Sequence, residues 1–389
     1  MKILFDHQIF YRQNYGGVSR YFCELMNQFS TDPDIHVILP LHFVQNDNLA
    51  QFPQLDKYWS GRYNGLYNNY FVSMLQKKIR FNALNFGLNF LFNNQGESIR
   101  QLKKQDFDIF HPTYYEPYFL KYLQKKPYVL TVYDMIHEHF PDYFKTSDQT
   151  RVWKKQLIEN ASGIIAISEN TKRDILTFTN ADPDRIHVIY LGNPFERVSS
   201  PAQNSFQQDS PDFNYPYLLF VGDRHAYKNF NFFIDSVADI LHKNDGLNVV
   251  CAGSLPFTRE EKKLLKNLNI INKVHHVKIN GTILKNLYKN ARAFIFPSLY
   301  EGFGLPVLEA FSCGCPAIIS RSSSLPEIGG DGVIYFEPSD RQSIISAVET
   351  VLFNEMYREE LIRKGYKRLK FFSWEKTADS TKKVYHNLV

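Results

Sequence analysis

Short apolar runs recur along the whole chain, each followed by a stretch with helical periodicity, and this alternation constrains the fold more than any other feature. In the first half the runs are Ile3–Phe5, Val37–Leu39, Ile109–Phe110, Tyr128–Val132, Ile164–Ile167 and Val188–Tyr190. In the second half they are Tyr217–Val221, Leu247–Cys251, Val274–Val277, Ala293–Phe296, Ala317–Ile319 and Val333–Phe336. Runs that are apolar throughout predict strands buried on both faces, and their alternation with helices predicts parallel sheets. The sequence therefore predicts an α/β protein with two Rossmann-like domains.

The length of the chain and one polar segment define the predicted domains. A chain of 389 residues with 44% hydrophobic residues is long enough to build two separate cores. Residues 196–216 are polar, contain several prolines and show no periodicity, which predicts a linker between a first domain at 1–195 and a second at 217–371. Ser373 is a typical helix N-cap, so residues 372–389 are predicted to form a final helix.

The connection between the runs at 293–296 and 316–320 carries two carboxylates, Glu301 and Glu309, eight positions apart. Gly302 and Gly304 let the backbone approach a ligand closely, and the helix predicted to follow them presents free N–H groups to an anion. Glu309 lies among apolar residues and needs hydrogen-bond donors, which a pair of sugar hydroxyls would supply. The segment therefore predicts a diphosphate site whose two carboxylates address opposite ends of an elongated ligand.

These residues resemble the Glu-x7-Glu signature of the retaining glycosyltransferases designated family 4 and their relatives, which have the GT-B architecture of two Rossmann-like domains facing a cleft. The resemblance implies that Glu301 contacts the transferred sugar and that Glu309 binds the ribose of the nucleotide. The backbone that would meet the diphosphate belongs to Gly302, Phe303, Gly304 and Leu305. The resemblance covers nearly the whole chain and implies that the final helix crosses back onto the first domain. Two glutamates on an ordinary solvated helix are the alternative.

Two cations, Arg224 and Lys228, follow the run Tyr217–Val221. When a sugar leaves a nucleotide, negative charge grows on the diphosphate, and a fixed cation stabilises it. Arg offers a planar fork to phosphate oxygens and Lys a compact charge. The resemblance implies that the pair holds the diphosphate, so that no metal or other cofactor is predicted. An ordinary pair of solvated loop residues is the alternative.

Further residues are assigned by the resemblance alone. Gly16 and Gly17 follow the first strand and are expected to approach the phosphate or the acceptor. Asp134 keeps the Asp of the family's His-Asp pair, whereas Tyr133 replaces the His. His137, three residues beyond, is either a catalytic substitute or an ordinary core or surface histidine. Thr282 lies where relatives hold the nucleobase, largely through backbone groups, so the base itself cannot be read from the sequence.

The motifs around Asp134 and Arg224 are most similar to those of bacterial mannosyltransferase-like enzymes of surface polysaccharide synthesis, of the O-antigen or capsule type. We therefore predict GDP-mannose as the nucleotide-sugar donor and a glycan or lipid-linked glycan as the acceptor. A net charge of +5, evenly spread, is too weak to indicate a nucleic-acid partner. Two alternatives stay open: a nucleotide-sugar epimerase or hydrolase on the same fold, and a catalytically silent carbohydrate-binding protein.

The sequence also predicts where the protein resides. The segment Met1–Asp6 lacks the long apolar core of a signal peptide, and no run approaches the roughly 20 apolar residues of a membrane span, which predicts a cytoplasmic protein. Within residues 49–97, a basic cluster at 77–80 adjoins an apolar stripe. This pattern fits peripheral contact with the cytoplasmic face of the inner membrane or with the acceptor, and an amphipathic helix packed on the core explains it more simply.

Overall fold

The computed structural model describes residues 1–13, 15–41, 46–58, 94–196, 213–224, 226–253, 255–279 and 281–389, with the backbone alone at 281 and 282. Two predicted segments lie largely outside these residues. They are the linker at 196–216 and the basic and aromatic segment at 49–97.

Every apolar run that the sequence singles out contributes to a strand. The strands are β1 Lys2–Phe5, β2 His36–Ile38, β3 Ile109–His111, β4 Val129–Val132, β5 Gly163–Ala166, β6 Ile186–Val188, β7 Tyr217–Val221, β8 Asn248–Ala252, β9 Val274–Val277, β10 Ala293–Phe296, β11 Ala317–Ser320 and β12 Val333–Phe336. The largest displacement is two residues, because the run expected at 188–190 is a strand at 186–188. Pairing of Ile186 with Ile164 fixes the register of this strand. The polar His187 interrupts the apolar run, so the start of the strand is not recognisable from the sequence.

Helices connect the strands throughout the described ranges. They are α1 Gln8–Arg12, α2 Gly17–Phe29, α3 Asn94–Lys104, α4 Ile136–His139, α5 Thr150–Asn160, α6 Glu169–Phe178, α7 Phe230–Lys243, α8 Arg259–Asn267, α9 Gly281–Asn290, α10 Leu305–Ser312, α11 Leu325–Gly329, α12 Arg341–Phe353, α13 Glu355–Leu369 and α14 Trp374–His386. None of these helices is long and apolar enough to cross a lipid bilayer.

The strands form parallel sheets in both halves of the chain. In the first half, strands in the order β2-β1-β3 and β4-β5-β6 are connected by a parallel bridge between Phe110 and Tyr128. In the second half a single sheet has the order β12-β11-β10-β7-β8-β9. The predicted α/β fold with two Rossmann-like domains is confirmed.

Helix α14 returns from the second half to the first, as predicted. Its N-cap Ser373 accepts a hydrogen bond from the N–H of Lys376 at 3.2 Å. At its far end the Tyr385 hydroxyl lies 2.6 Å from Nδ1 of His111, on β3. Lys382 forms an ion pair with Asp32, 2.7 Å away in the first half. The helix thereby connects the two halves through both buried and surface contacts.

Candidate active site

The predicted site lies at the carboxyl edge of the second sheet, between β7 and β10. These strands are direct neighbours, with Leu219 opposite Phe294. After β7 the chain continues to β8 on one side, and after β10 it continues to β11 on the other. Open α/β sheets bind ligands at such a switch point, because two neighbouring loops leave the edge in opposite directions. The loops here are 222–229 and 297–304.

Lys228 and Glu301 meet across this switch point. The Lys228 Nζ donates to Glu301 Oε1 at 2.5 Å, and the two side chains are only 17% and 14% exposed. The ammonium also lies 5.1 Å from the ring centre of Tyr227 and 5.5 Å from that of Phe296. Burial lowers the pKa of Lys228, but the Glu301 carboxylate and the Tyr227 hydroxyl raise it, and the net shift is upward. Lys228 therefore stays charged at neutral pH beside the predicted sugar-contacting carboxylate.

Helix α10 begins directly after this pair. Gly304 precedes it with φ of +106°, and a Cβ on that residue would lie 2.8 Å from Leu325 Cδ2, so a glycine is needed on two grounds. A Cβ on Gly17 of the first half would lie 3.4 Å from Leu305 Cδ1. The first-half glycine loop therefore faces the positive end of α10, where an anion is favoured.

The remaining residues predicted in these loops differ in their surroundings. Gly16 is the residue before α2, and its carbonyl accepts a hydrogen bond from Asn48 Nδ2 at 2.9 Å. Phe303 is buried, with its ring 5.9 Å from that of Phe372, so its side chain serves packing. Thr282 lies in α9, and its side chain falls outside the described residues. The backbone roles predicted for these residues stay predictions.

Glu309 is buried within α10, and its carboxylate accepts a side-chain hydrogen bond from the neighbouring helix α9. The Tyr288 hydroxyl, on α9, donates to Glu309 Oε2 at 3.0 Å. Burial raises the pKa of Glu309, and the charge of Arg20 and the hydrogen bond from Tyr288 offset only part of this shift. The ribose hydroxyls predicted as further donors to this carboxylate stay a prediction. Tyr288 was not predicted, because nothing in a tyrosine on an amphipathic helix indicates this contact.

The loop after β4 brings the first half against Glu301. A Cβ on Gly302 would lie 1.7 Å from the Tyr133 carbonyl oxygen, so the two loops touch through their backbones. Ser168, the N-cap of α6, donates to the Gly302 carbonyl at 2.7 Å. Asp134 lies close enough for its charge to contribute to the raised pKa of Lys228. The structure thus brings together Asp134, Lys228 and Glu301 from both halves.

His137 is directed toward other partners. Its Nε2 lies 3.7 Å from Asp148 Oδ2, and its ring stacks on Phe144 with 3.8 Å between centres. Burial and the nearby Lys154 ammonium lower the pKa of His137, so it is largely neutral at pH 7. The structure gives it a packing role, and a catalytic role stays a prediction.

Arg224 has different hydrogen-bond partners from Lys228. Its Nε donates to Glu261 Oε1 at 2.8 Å, and its Nη2 donates to the carbonyls of Leu255 and Pro256, both at 2.9 Å. Glu261 is itself held by a capping box with Thr258 at the start of α8. A buried carboxylate requires a cationic partner, and the guanidinium supplies it. The predicted diphosphate role of Arg224 would require this residue to leave Glu261.

Two other residues of this region were missed from the sequence. The Tyr300 hydroxyl donates to Asp174 Oδ2 at 2.6 Å and accepts from the Met135 N–H at 3.1 Å, which connects the two halves beside Glu301. Lys154, fully buried on α5, contacts Asp134. The period of α5 offered a signal, since Lys154 shares a buried face with Leu157 and Ile158.

Among the residues that the structure describes, no three His, Cys, Asp or Glu side chains are grouped as a metal site would require. The metal independence expected from the sequence stays a prediction.

Comparison with known proteins connects both halves to one enzyme class. Residues 15–197 match the family described as Glycosyltransferase Family 4, and residues 202–368 match Glycosyl transferases group 1. The chain is 27% identical over 288 residues to O-antigen chain mannosyltransferase B of Escherichia coli, which covers 71% of this chain and 74% of that protein. It is 42% identical over 236 residues to serotype-specific mannosyltransferase WbdA of Escherichia coli, which covers 57% of this chain but only 28% of that protein.

A solved structure shows the same fold over the full length. Alr3699/HepE of Anabaena, crystallised in complex with UDP and glucose, superposes with a TM-score of 0.73 and covers all of both chains at 15% sequence identity.

Proposed function

Since the chain belongs to the family 4 type of GT-B glycosyltransferases, we propose that it is a retaining mannosyltransferase of bacterial surface polysaccharide synthesis. The sugar donor is GDP-mannose, and the acceptor is a glycan or lipid-linked glycan. The observation that carries this proposal is the contact between Lys228 and Glu301 at the switch point of the second sheet. The names of the O-antigen mannosyltransferases that the chain resembles support mannose as the sugar.

The geometry supports specific roles for these two residues. In the reaction, the bond between the anomeric carbon and the diphosphate oxygen breaks, and an acceptor hydroxyl bonds to the same face of that carbon. The acceptor proton goes to an oxygen of the departing diphosphate, so no protein base is required. Lys228 and the N-terminus of α10 stabilise the charge that grows on the diphosphate. The Glu301 carboxylate accepts hydrogen bonds from the hydroxyls of the sugar.

Glu309 contacts the ribose of the donor nucleotide, and Asp134 lies toward the acceptor. Tyr288 donates to one oxygen of the Glu309 carboxylate, and ribose hydroxyls supply further hydrogen bonds to it. Asp134 comes from the first half and lies on the acceptor side of the cleft. The positive charge is supplied by protein groups, and we propose that no metal is required.

The test is transfer from radiolabelled GDP-mannose to the lipid-linked glycans of a bacterial extract, with UDP-glucose and UDP-galactose in parallel. Transfer of mannose is expected, and NMR of the product should show the same anomeric configuration as in GDP-mannose. Lys228→Met should reduce kcat about 100- to 1000-fold, as removal of one charge-stabilising group typically does. An inverted linkage would contradict retention, and full turnover by Lys228→Met would contradict the role of the ammonium.

A thermal-shift panel tests the base separately. GDP should raise the melting temperature more than UDP, dTDP or ADP, since a tighter ligand stabilises the folded state more at equal concentration. Stabilisation by UDP alone would exclude GDP-mannose. Consumption of the nucleotide sugar without any acceptor would favour an epimerase or hydrolase, and binding without turnover would favour a carbohydrate-binding protein.

A further inference from the structure

A fully buried ammonium group contacts the first-half loop that contains Asp134 and reaches the active site. Lys154, on α5, has a side chain that is 0% exposed. Its Nζ lies 2.8 Å from Glu138 Oε2 and donates to the Asp134 carbonyl at 3.0 Å. The same atom is 3.9 Å from Asp134 Oδ1 and 5.6 Å from the ring centre of Tyr115. Two of its three oxygen neighbours therefore belong to Asp134.

Stability alone does not account for this arrangement. Desolvating an ammonium and a carboxylate is costly, and apolar side chains of similar volume often replace a buried ion pair without loss of stability. Burial raises the pKa of Glu138, although the Lys154 charge offsets part of that shift. At 2.8 Å, the Glu138 carboxyl group is the counterion of this ammonium in the fold.

The loop that Lys154 holds is in contact with the second half on both sides of Asp134. The carbonyl of Tyr133, just before it, meets Gly302, and the N–H of Met135, just after it, donates to Tyr300. Gly302 and Tyr300 flank Glu301 in the sequence. The position of Asp134 relative to Glu301 therefore depends on the first-half contacts that hold this loop. Lys154 supplies such contacts through the carbonyl and the carboxylate of Asp134.

We propose that Lys154, with Glu138 as its counterion, is a positioning residue that fixes Asp134 toward the transferred sugar and the acceptor. This inference rests on the proposed transfer reaction. Lys154 contacts both the main-chain carbonyl of Asp134 and, at longer range, its carboxylate. It therefore restricts both the position of the loop and the rotation of the Asp134 side chain. Lys154 contacts no substrate itself, and its effect is transmitted through Asp134.

The adjacent Lys155 is a matched control. Its side chain is 55% exposed, and its Nζ lies 4.0 Å from Oε1 of Glu159, one helical turn further along α5. Lys155→Met removes the same ammonium from the same helix without touching Asp134. The two lysines thus differ in the face of α5 that they occupy and share their chemistry.

The experiment compares the wild type, the double variant K154M/E138L and K155M. The double variant removes both buried charges together, so no unpaired charge is left in the fold. We expect its melting temperature to stay within a few degrees of the wild type. Its kcat for mannose transfer should fall about 100-fold, because a displacement of about 1 Å in an active site has an effect of this size. KM for the nucleotide sugar should change less than threefold, and K155M should retain wild-type turnover.

A second pair, K154M/E138Q, keeps the shape of the Glu138 side chain and replaces the first pair if that one does not fold. In an Asp134→Ala background, either pair should lower kcat by less than about threefold further, because a residue that acts through Asp134 has no effect once that carboxylate is absent. Equal losses in both backgrounds would overturn the proposal, as would a double variant with wild-type kcat.

Hydrogen exchange gives a readout that does not need turnover. The Ile136 N–H donates to Asp134 Oδ1 at 3.1 Å, so peptides covering 133–140 should exchange faster in the double variant, while peptides covering 248–252 should not change. If the wild type transfers no mannose, the proposed function fails, and this measurement still decides the role of Lys154. Unchanged exchange at 133–140 would overturn the positioning role.

Discussion

The backbones of the two halves approach each other closely at Gly302, and this contact gives a sharp steric prediction. Ala at this position would place its Cβ 1.7 Å from the Tyr133 carbonyl oxygen and 2.8 Å from the carbonyl carbon. A carbon and a carbonyl oxygen approach no closer than about 3.3 Å. The loops must therefore separate by about 1.6 Å, because both contacting groups are main chain and neither has a rotamer to change.

The expected loss follows from that displacement. Tyr133 is fixed from the other side, since its N–H donates to the Tyr115 hydroxyl at 3.0 Å. The clash is therefore relieved by opening of the cleft between the halves, which moves Asp134 away from Glu301. A displacement above 1 Å is worth about 100-fold in rate, or about 2.7 kcal/mol in activation free energy. Gly302→Ala should lower kcat by at least that factor.

The assay is steady-state mannose transfer, combined with small-angle X-ray scattering of the unliganded protein. Gly246→Ala is the matched control, because a Cβ there would have no atom within 4 Å and the backbone is not in the left-handed region. We expect an increased radius of gyration and a large loss of kcat in Gly302→Ala, with neither change in Gly246→Ala. Turnover of Gly302→Ala within threefold of the control, at an unchanged radius of gyration, would refute the steric reasoning.

Three further predictions concern buried groups and metal dependence. Tyr288→Phe removes the hydrogen bond to the Glu309 carboxylate. It should lower the free energy of unfolding, measured by urea titration, by about 1–3 kcal/mol. An unchanged free energy would show that solvent replaces this bond. Burial lowers the pKa of His111 to about 3. As the pH falls, the imidazole is therefore protonated in the unfolded chain before it is protonated in the folded protein. As the pH falls from about 6.5 to about 3, His111 should therefore lower the free energy of unfolding by about 1.4 kcal/mol per pH unit, and His111→Gln should show a shallower slope over that window. EDTA should leave turnover unchanged, because Lys228 and the N-terminus of α10 supply the positive charge, and activity restored only by a divalent cation would contradict this.

The strands could be predicted because their burial leaves a direct trace in the sequence. All five residues of Tyr217–Val221 are buried, so the run is apolar without interruption. The strand with the largest displacement, Ile186–Val188, contains His187, and a polar residue on an edge strand breaks the pattern. Pairing with β5, which the sequence does not show, decides the bounds there.

The site was predictable where chain position alone brings residues together. Lys228 and Glu301 each follow a strand of the same parallel sheet, so both had to lie at its carboxyl edge, and their contact follows from the pairing of β7 with β10. Arg224 lies in the same loop as Lys228, yet its direction depends on Glu261 at the start of another helix. A residue's element can be read from the sequence, whereas the choice between two competing partners depends on packing.

Polar contacts between the two halves cluster around the loop that contains Glu301. Ser168 binds the Gly302 carbonyl, and Tyr300 binds Asp174. The Glu327 carboxylate accepts from the N–H of Glu169 at 2.6 Å, at the positive end of α6. Each of these contacts joins a first-half group to a residue within or beside the loops at the edge of the second sheet. Opening the cleft would break them together, so Asp134, Lys228 and Glu301 are assembled only when the two halves are in contact.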